Sequence, residues 1–457
     1  MHTDLAYATV GMLNDALNRR EVSAVELTDA AIARIERYDG AINAVVVRDF
    51  ARAREAARKA DSERANDLAK PLLGIPMTVK EANNVAGLKT TWGFPGFKDV
   101  VASEDGVAIA RLKEAGAIIL GKTNVPTFLA DWQSNNPLFG RTNNPWDLTK
   151  TAGGSTGGAA AVASGMVPLE FGSDLAGSIR VPAAFCGVYG HKPSFGIVPM
   201  RGFRPPAAPD GAGIPISVLG PLARSPDDLE LALNVVAGPE PVEAAGYRLE
   251  LPKARHEKLS DYRILILAAH PAAGVDAEIV AALHGISDEL ATRGAKVSRK
   301  SELLPDLLET LACFGIILGT VTSRGGAPQE QPMSVHAWMD TLDQQYAIRR
   351  KWARLFADFD VVLAPAFGVP AFAHDDSQGE RKLVINGMST DYGVQGAWSS
   401  MAGLANLPAT VAPIAKTKAN LPVGIQIIGP YLGDRTTIQL ARLFEREFGG
   451  FAPPPLR

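Results

Sequence analysis

Short apolar runs that alternate with helical stretches constrain this chain more than any other feature. Ala117 to Leu120, Val167 to Phe171 and Ile264 to Leu267 are too brief for buried helices and are bounded by turn residues, so they are expected to be buried strands. Such alternation indicates an α/β layered fold. Near the start, Ser23 and Glu26 have capping-box spacing, Val22 and Leu27 can form a hydrophobic staple, and Leu27, Ala31 and Ile35 recur every four residues. A second helix is expected from Phe50 to Ala65, before Pro71 and Gly74 break the pattern. From Gly238 to Lys258 the chain turns Pro-rich and charged, as a linker does. An accessory βα unit follows, with a strand at Tyr262 to Ala268 and a helix at about Asp276 to Arg293. The Pro-rich stretch Arg204 to Pro215 is expected to be a surface loop or rim, and no internal repeat occurs.

At 457 residues the chain exceeds the usual domain of roughly 100–200, and composition leaves one large domain or two intimate ones open. With 46% apolar and 21% charged residues it can bury a substantial core. Its 46 Lys and Arg are balanced by 49 Asp and Glu, which argues against a nucleic-acid partner. The opening MHTDLAYATV is not a signal peptide, and no run of about 18 apolar residues follows, so a cytoplasmic protein without membrane attachment is expected. Cys186 and Cys313 sit among apolar residues far apart in sequence, as buried free thiols do, and no metal or other cofactor is called for.

Glycine and small residues crowd Thr151 to Ser194, around two serines that stand 23 positions apart, Ser155 and Ser178. Glycines let backbone approach backbone or ligand, and the small residues Ala159 to Ala163 let a following helix pack tightly. Ser155 would then lie at that helix's N-terminus, where the dipole favours negative charge on an oxygen. In GSDLAGSIR, Gly172 and Gly177 permit a tight turn whose N–H groups from Leu175 to Ser178 can converge on an oxyanion, with Asp174 and Arg180 bracketing it. Composition alone leaves an inert glycine-rich surface loop equally open.

Taken together, GGSTGGAAAVASG and GSDLAGSIRVPAAFCGVYGHKPS resemble the amidase signature family over more than forty positions. The resemblance continues in PLLGIPMTVKEANNVAGLKTT, RLKEAGAIILGKTNVPTF, LANLPATVAPI and LPVGIQIIGP, and is weakest between about 240 and 390. It implies a mixed, largely central β-sheet covered by helices on both faces. It also implies one amidase domain, 1–457, comprising N-terminal helices (1–70), a signature core (about 71–235), the accessory βα region (about 255–345) and a C-terminal part of the core (about 355–457). The family's triad falls on Lys80, Ser155 as the cis-peptide serine and Ser178 as the nucleophile; its oxyanion hole falls on the backbone of Leu175, Ala176, Gly177 and Ser178. A lysine following the apolar run Ile75 to Val79 can be neutral through desolvation, and so serve as base. Asp174, Arg180 and Thr156 are expected to support the site. Ala176 stands where most members have glycine, and Thr156 where a second serine is usual.

The implied reaction is hydrolysis of a small amide, with carbamate or ester hydrolysis as the alternative and a homodimer left open as the assembly. Membership of an aminoacyl-tRNA amidotransferase complex and a catalytically dead binding module are readings of other classes. Phe128, Trp132, Gln133, Phe203 and Trp398 are the expected substrate walls, with core packing as the competing reading. Two short motifs point elsewhere. GAIILGKT at 116–123 matches a phosphate-binding loop, but its intervening residues form the expected strand itself. GGSTG at 153–157 matches a nucleophile elbow, which should follow a strand and recruit a His, whereas NNPWDLTKT reads as turn and loop. His191 is expected to be structural or at the rim.

Overall fold

The computed structural model describes residues 5–66, 70–206, 208, 211, 213–324, 332–377 and 379–456. The Ser23 hydroxyl accepts from the Glu26 N–H while the Glu26 carboxylate accepts from the Ser23 N–H, closing the capping box that opens the helix Ala24–Ile42. Leu27, Ala31, Ile32 and Ile35 bury one face of it, and the helix Phe50–Ala65 packs alongside. Both helices lie where the sequence places them.

Eleven strands form one mixed sheet in the spatial order Val45–Arg48, Ile118–Thr123, Pro76–Lys80, Leu169–Asp174, Val218–Ala223, Tyr189–Lys192, Ala409–Lys416, Pro422–Ile428, Val361–Pro365, Arg263–Ile266 and Lys296–Ser298. Helices flank it: Gly158–Ala163 lies on Leu169–Asp174, Pro226–Val236 on Val218–Ala223, Arg180–Cys186 on Pro422–Ile428, and Asp434–Phe448 on Ala409–Lys416. The expected accessory strand extends this sheet, because Val361–Pro365 pairs with Pro422–Ile428 on one side and with Arg263–Ile266 on the other. Its helix, Ala277–Thr292, is capped by the Asp276 carboxylate. A second apolar cluster gathers Leu265, Val362, Phe314, Trp352 and Trp398, beneath the helices Leu307–Thr322, Val335–Asp358 and Gly396–Leu404.

Two local readings change. NNPWDLTKT is not all turn and loop: Asn143–Asn144 and Asp147–Thr151 pair as a short ribbon outside the main sheet, turned by Asn144, whose side chain accepts from the Trp146 N–H. The strand within GAIILGKT runs on through Lys122 and Thr123, so the phosphate-loop lysine is itself sheet-bound and buried. Of the Pro-rich stretch 204–215, positions 207, 209, 210 and 212 lie outside the described residues. Among the described residues no helix is long and apolar enough to cross a membrane.

What the sheet does for the site follows from register. Pro76–Lys80 and Leu169–Asp174 are parallel neighbours, with Thr78 opposite Glu170. Lys80 and Asp174 end their strands, so the chain leaves both at the same edge, where loops after parallel strands gather functional groups.

Candidate active site

Lys80 is fully buried, and its Nζ lies 2.6 Å from Ser155 Oγ and 2.9 Å from Ser173 Oγ. Ser155 Oγ lies 2.8 Å from Ser178 Oγ, so one line of hydrogen bonds joins the three side chains named from the sequence. A cis peptide bond joins Gly154 to Ser155. Burial lowers the Lys80 pKa from 10.5 to about 7, against the opposing pull of the Asp174 and Glu170 carboxylates. At neutral pH about half of such amines are uncharged, and a neighbouring hydroxyl then has a proton acceptor within reach.

Ser178 follows a tight loop organised by Asp174. Its carboxylate accepts from the N–H groups of Gly177 (2.9 Å), Ile179 (3.2 Å) and Arg180 (3.3 Å), and pairs with the Arg180 guanidinium at 3.0 and 2.9 Å. Burial alone would raise the Asp174 pKa; the guanidinium overrides it and holds the group at about 2. Arg180 then ties the loop to the sheet through Gln426 Oε1 (2.8 Å) and the Ser399 carbonyl (3.2 Å).

Gly177 carries the positive φ of this loop, 100°, and Ala176 does not share it, so the methyl at 176 meets no left-handed strain. The Gly177 N–H is already committed to Asp174, which distinguishes it from its neighbours. Those of Leu175, Ala176 and Ser178 have no hydrogen-bond partner among the described residues. Thr156 Oγ1 accepts from the Gly158 N–H at 3.1 Å and sits 3.3 Å from Glu170 Oε1.

A family model for amidases matches residues 26–324 and 321–438. The chain belongs to the amidase family. Amidase-family enzymes act on carbon–nitrogen bonds, and relatives of several kinds resemble this one along nearly its whole length. It is 31% identical, over 97% of its length, to a glutamyl-tRNA(Gln) amidotransferase subunit of Roseiflexus castenholzii, of which the match covers 96%. It is 28% identical over 96% of its length to fatty-acid amide hydrolase 2-A of Danio rerio, covering 88% of that protein. A solved, inhibitor-bound structure described as a vestigial complex revealing the origins of an s-triazine catabolic enzyme superimposes with a TM-score of 0.84. That pair is 28% identical over 98% of this chain and 100% of the other. A bacterial aryl acylamidase shares the fold with a TM-score of 0.84 at 24% identity, over 97% of each chain.

The five expected wall residues of this amidase-family chain are not equivalent. Trp132 donates from Nε1 to the Ala176 carbonyl at 2.8 Å and so touches the loop before Ser178 directly. Gln133 is buried, and its side-chain amide binds the backbone of Asp375 in both directions, at 2.8 and 2.9 Å. Trp398 is wholly buried, its carbonyl accepting from Gln426. Phe203 packs on Trp92 with ring centroids 5.1 Å apart. Phe128 stands exposed in a cluster with Phe94 and Phe97. His191, as expected, is structural: it bridges Thr410 and Asp434 at 2.9 and 3.1 Å in the core.

Sequence reasoning missed three features. Ser173 is a second hydroxyl on the Lys80 amine. Glu170 is a wholly buried carboxylate bonded by the hydroxyls of Thr78 and Thr123, and burial raises its pKa to about 7. Its signal was available: a carboxylate flanked by Leu169 and Phe171 within the strand PLEFGSD must find partners or protonate. The third is Ser399, whose hydroxyl also donates to the Ala176 carbonyl, at 2.9 Å; no local pattern connects residues 223 positions apart.

Proposed function

We propose that this protein is a serine hydrolase of carbon–nitrogen bonds in which Ser178 attacks the carbonyl, Ser155 relays the proton and uncharged Lys80 is the base. The unbroken line from Lys80 Nζ through Ser155 Oγ to Ser178 Oγ carries this reading. As the Ser178 oxygen bonds to carbon, its proton passes to Ser155, whose own proton passes to Lys80. The negative charge formed on the carbonyl oxygen is met by the N–H groups of Leu175, Ala176 and Ser178, which have no partner among the described residues, while Asp174 holds the Gly177 N–H to itself. Ser155 then protonates the departing nitrogen, the acyl group stays on Ser178, and water activated along the same line releases it.

The substrate favoured is a small amide; carbamates and esters present the same acyl carbon and are the alternative. All of the chain serves one amidase domain, and the free, buried Cys186 and Cys313 fit a reducing, cytoplasmic setting. A second reading is an amidotransferase subunit that releases ammonia from an amide for a partner, supported by the 31% identity to such a subunit. Turnover of anilides, aliphatic amides, glutamine, carbamates and aryl esters by wild type and Ser178→Ala tests these readings. Loss of turnover by roughly a thousandfold or more in the variant is expected. Equal turnover would end the nucleophile assignment, and glutamine as the sole substrate accepted would favour the amidotransferase reading.

A further inference from the structure

We infer that Trp132 is a positioning residue of the oxyanion loop, and that Asp375, Asp376, Arg381 and Tyr392, far along the chain, hold its segment in place. The inference rests on the reading of Ser178 as nucleophile and adds a part that no sequence motif joins to it.

The Ala176 carbonyl and the Gly177 N–H belong to one rigid peptide plane. Trp132 Nε1 and Ser399 Oγ both donate to that carbonyl, at 2.8 and 2.9 Å, while Asp174 takes the N–H on the other side. Three bonds therefore fix the plane, and with it the direction of the N–H groups on either side that face the reacting carbonyl. The Trp132 segment also lies against the two glycines that precede the relay serine. A methyl group at Gly154 would lie 2.5 Å from the Asp131 carbonyl oxygen and 2.7 Å from the Gln133 nitrogen, and Ser134 Oγ donates to the Gly153 carbonyl at 2.9 Å. One short stretch, 131–134, thus sets both loops that carry the serines.

That stretch is in turn clamped. Arg381 grips the Asp131 carboxylate with two bonds, at 2.8 and 2.9 Å, and the Tyr392 hydroxyl adds a third at 2.7 Å. The guanidinium lies 4.2 Å from the centre of the Tyr392 ring, which stands 5.2 Å from that of Trp132. Gln133 is pinned to the Asp375 backbone, and Asn135 and Arg141 both bind Asp376. Phe367 closes on the remaining side of the indole, 5.2 Å away. An indole gripped on so many sides makes a stiff strut, as a donor to a catalytic loop must be.

Steady-state kinetics on Trp132→Phe, which keeps an aromatic ring and removes the donor, and on Tyr392→Phe, which removes one bond to Asp131, test the inference. For Trp132→Phe, kcat is expected to fall about 10- to 100-fold with KM within about threefold. Affinity for phenylboronic acid, whose tetrahedral adduct on Ser178 puts an oxygen where the oxyanion forms, should fall in parallel. Tyr392→Phe should move the same way by a smaller factor, and carries the test if Trp132→Phe does not fold. Wild-type kcat in both variants, or a raised KM with unchanged kcat, would overturn the inference and make Trp132 a wall of the substrate pocket. Turnover retained in Ser178→Ala would instead remove the reading on which the inference stands.

Discussion

Replacing Lys80 by Met is expected to abolish turnover and, at neutral pH, to stabilise the fold. In the folded protein Lys80 gives up its proton at about 7, whereas in the unfolded chain it does so near 10.5. Between those pH values the unfolded state binds more protons, so stability rises with pH across that window. At pH 7 the mismatch costs the fold roughly 4 kcal/mol, since each tenfold change in proton affinity is about 1.4 kcal/mol. Methionine cannot titrate and escapes this cost. It does lose the bonds to Ser155 and Ser173, at roughly 1 kcal/mol each, but that loss does not change with pH. Paired urea titrations of wild type and variant should therefore show the variant about 2 kcal/mol more stable at pH 7, with the advantage shrinking and reversing towards pH 10.5. A difference that stays flat from pH 7 to 10, or grows with pH, would refute the argument that Lys80 is buried as an uncharged base.

Two further outcomes follow from the same geometry. Glu170 draws the Lys80 proton affinity upward, so Glu170→Gln should move the acid limb of the kcat/KM profile, expected below about pH 7 in wild type, to lower pH; an unmoved or raised limb would contradict that coupling. Gly154→Ala would push a methyl into the backbone of Asp131, Trp132 and Gln133, and should cost about 2 kcal/mol in stability and at least about tenfold in kcat, read by urea titration and steady-state rates.

The local statements of the sequence were legible because they depend on neighbours in the chain. The capping box at Ser23 and Glu26, the helix Phe50–Ala65 and the helix that begins after Asp276 each satisfy bonds within a few residues. NNPWDLTKT was misread although its pairing is also local: its asparagines signal turns, yet Asn143–Asn144 and Asp147–Thr151 pair with each other across one. The accessory strand was legible as a strand, while its membership of the central sheet required Val361–Pro365, nearly a hundred residues later.

The same division runs through the site. Sequence by itself singled out the candidates, since Lys80 closes an apolar strand and both serines stand in glycine-rich turns inside a long match to the family. Tertiary structure decided their state. Whether Lys80 is charged depends on how completely the sheet excludes water and on two carboxylates, Asp174 and Glu170, brought beside it by a neighbouring strand. Whether Ala176 is strained depends on Gly177 taking the positive φ, and the orientation of that peptide depends on Trp132 and Ser399, held from opposite ends of the chain. Burial and long-range hydrogen bonds are sums over residues distant in sequence, so no local pattern can contain them.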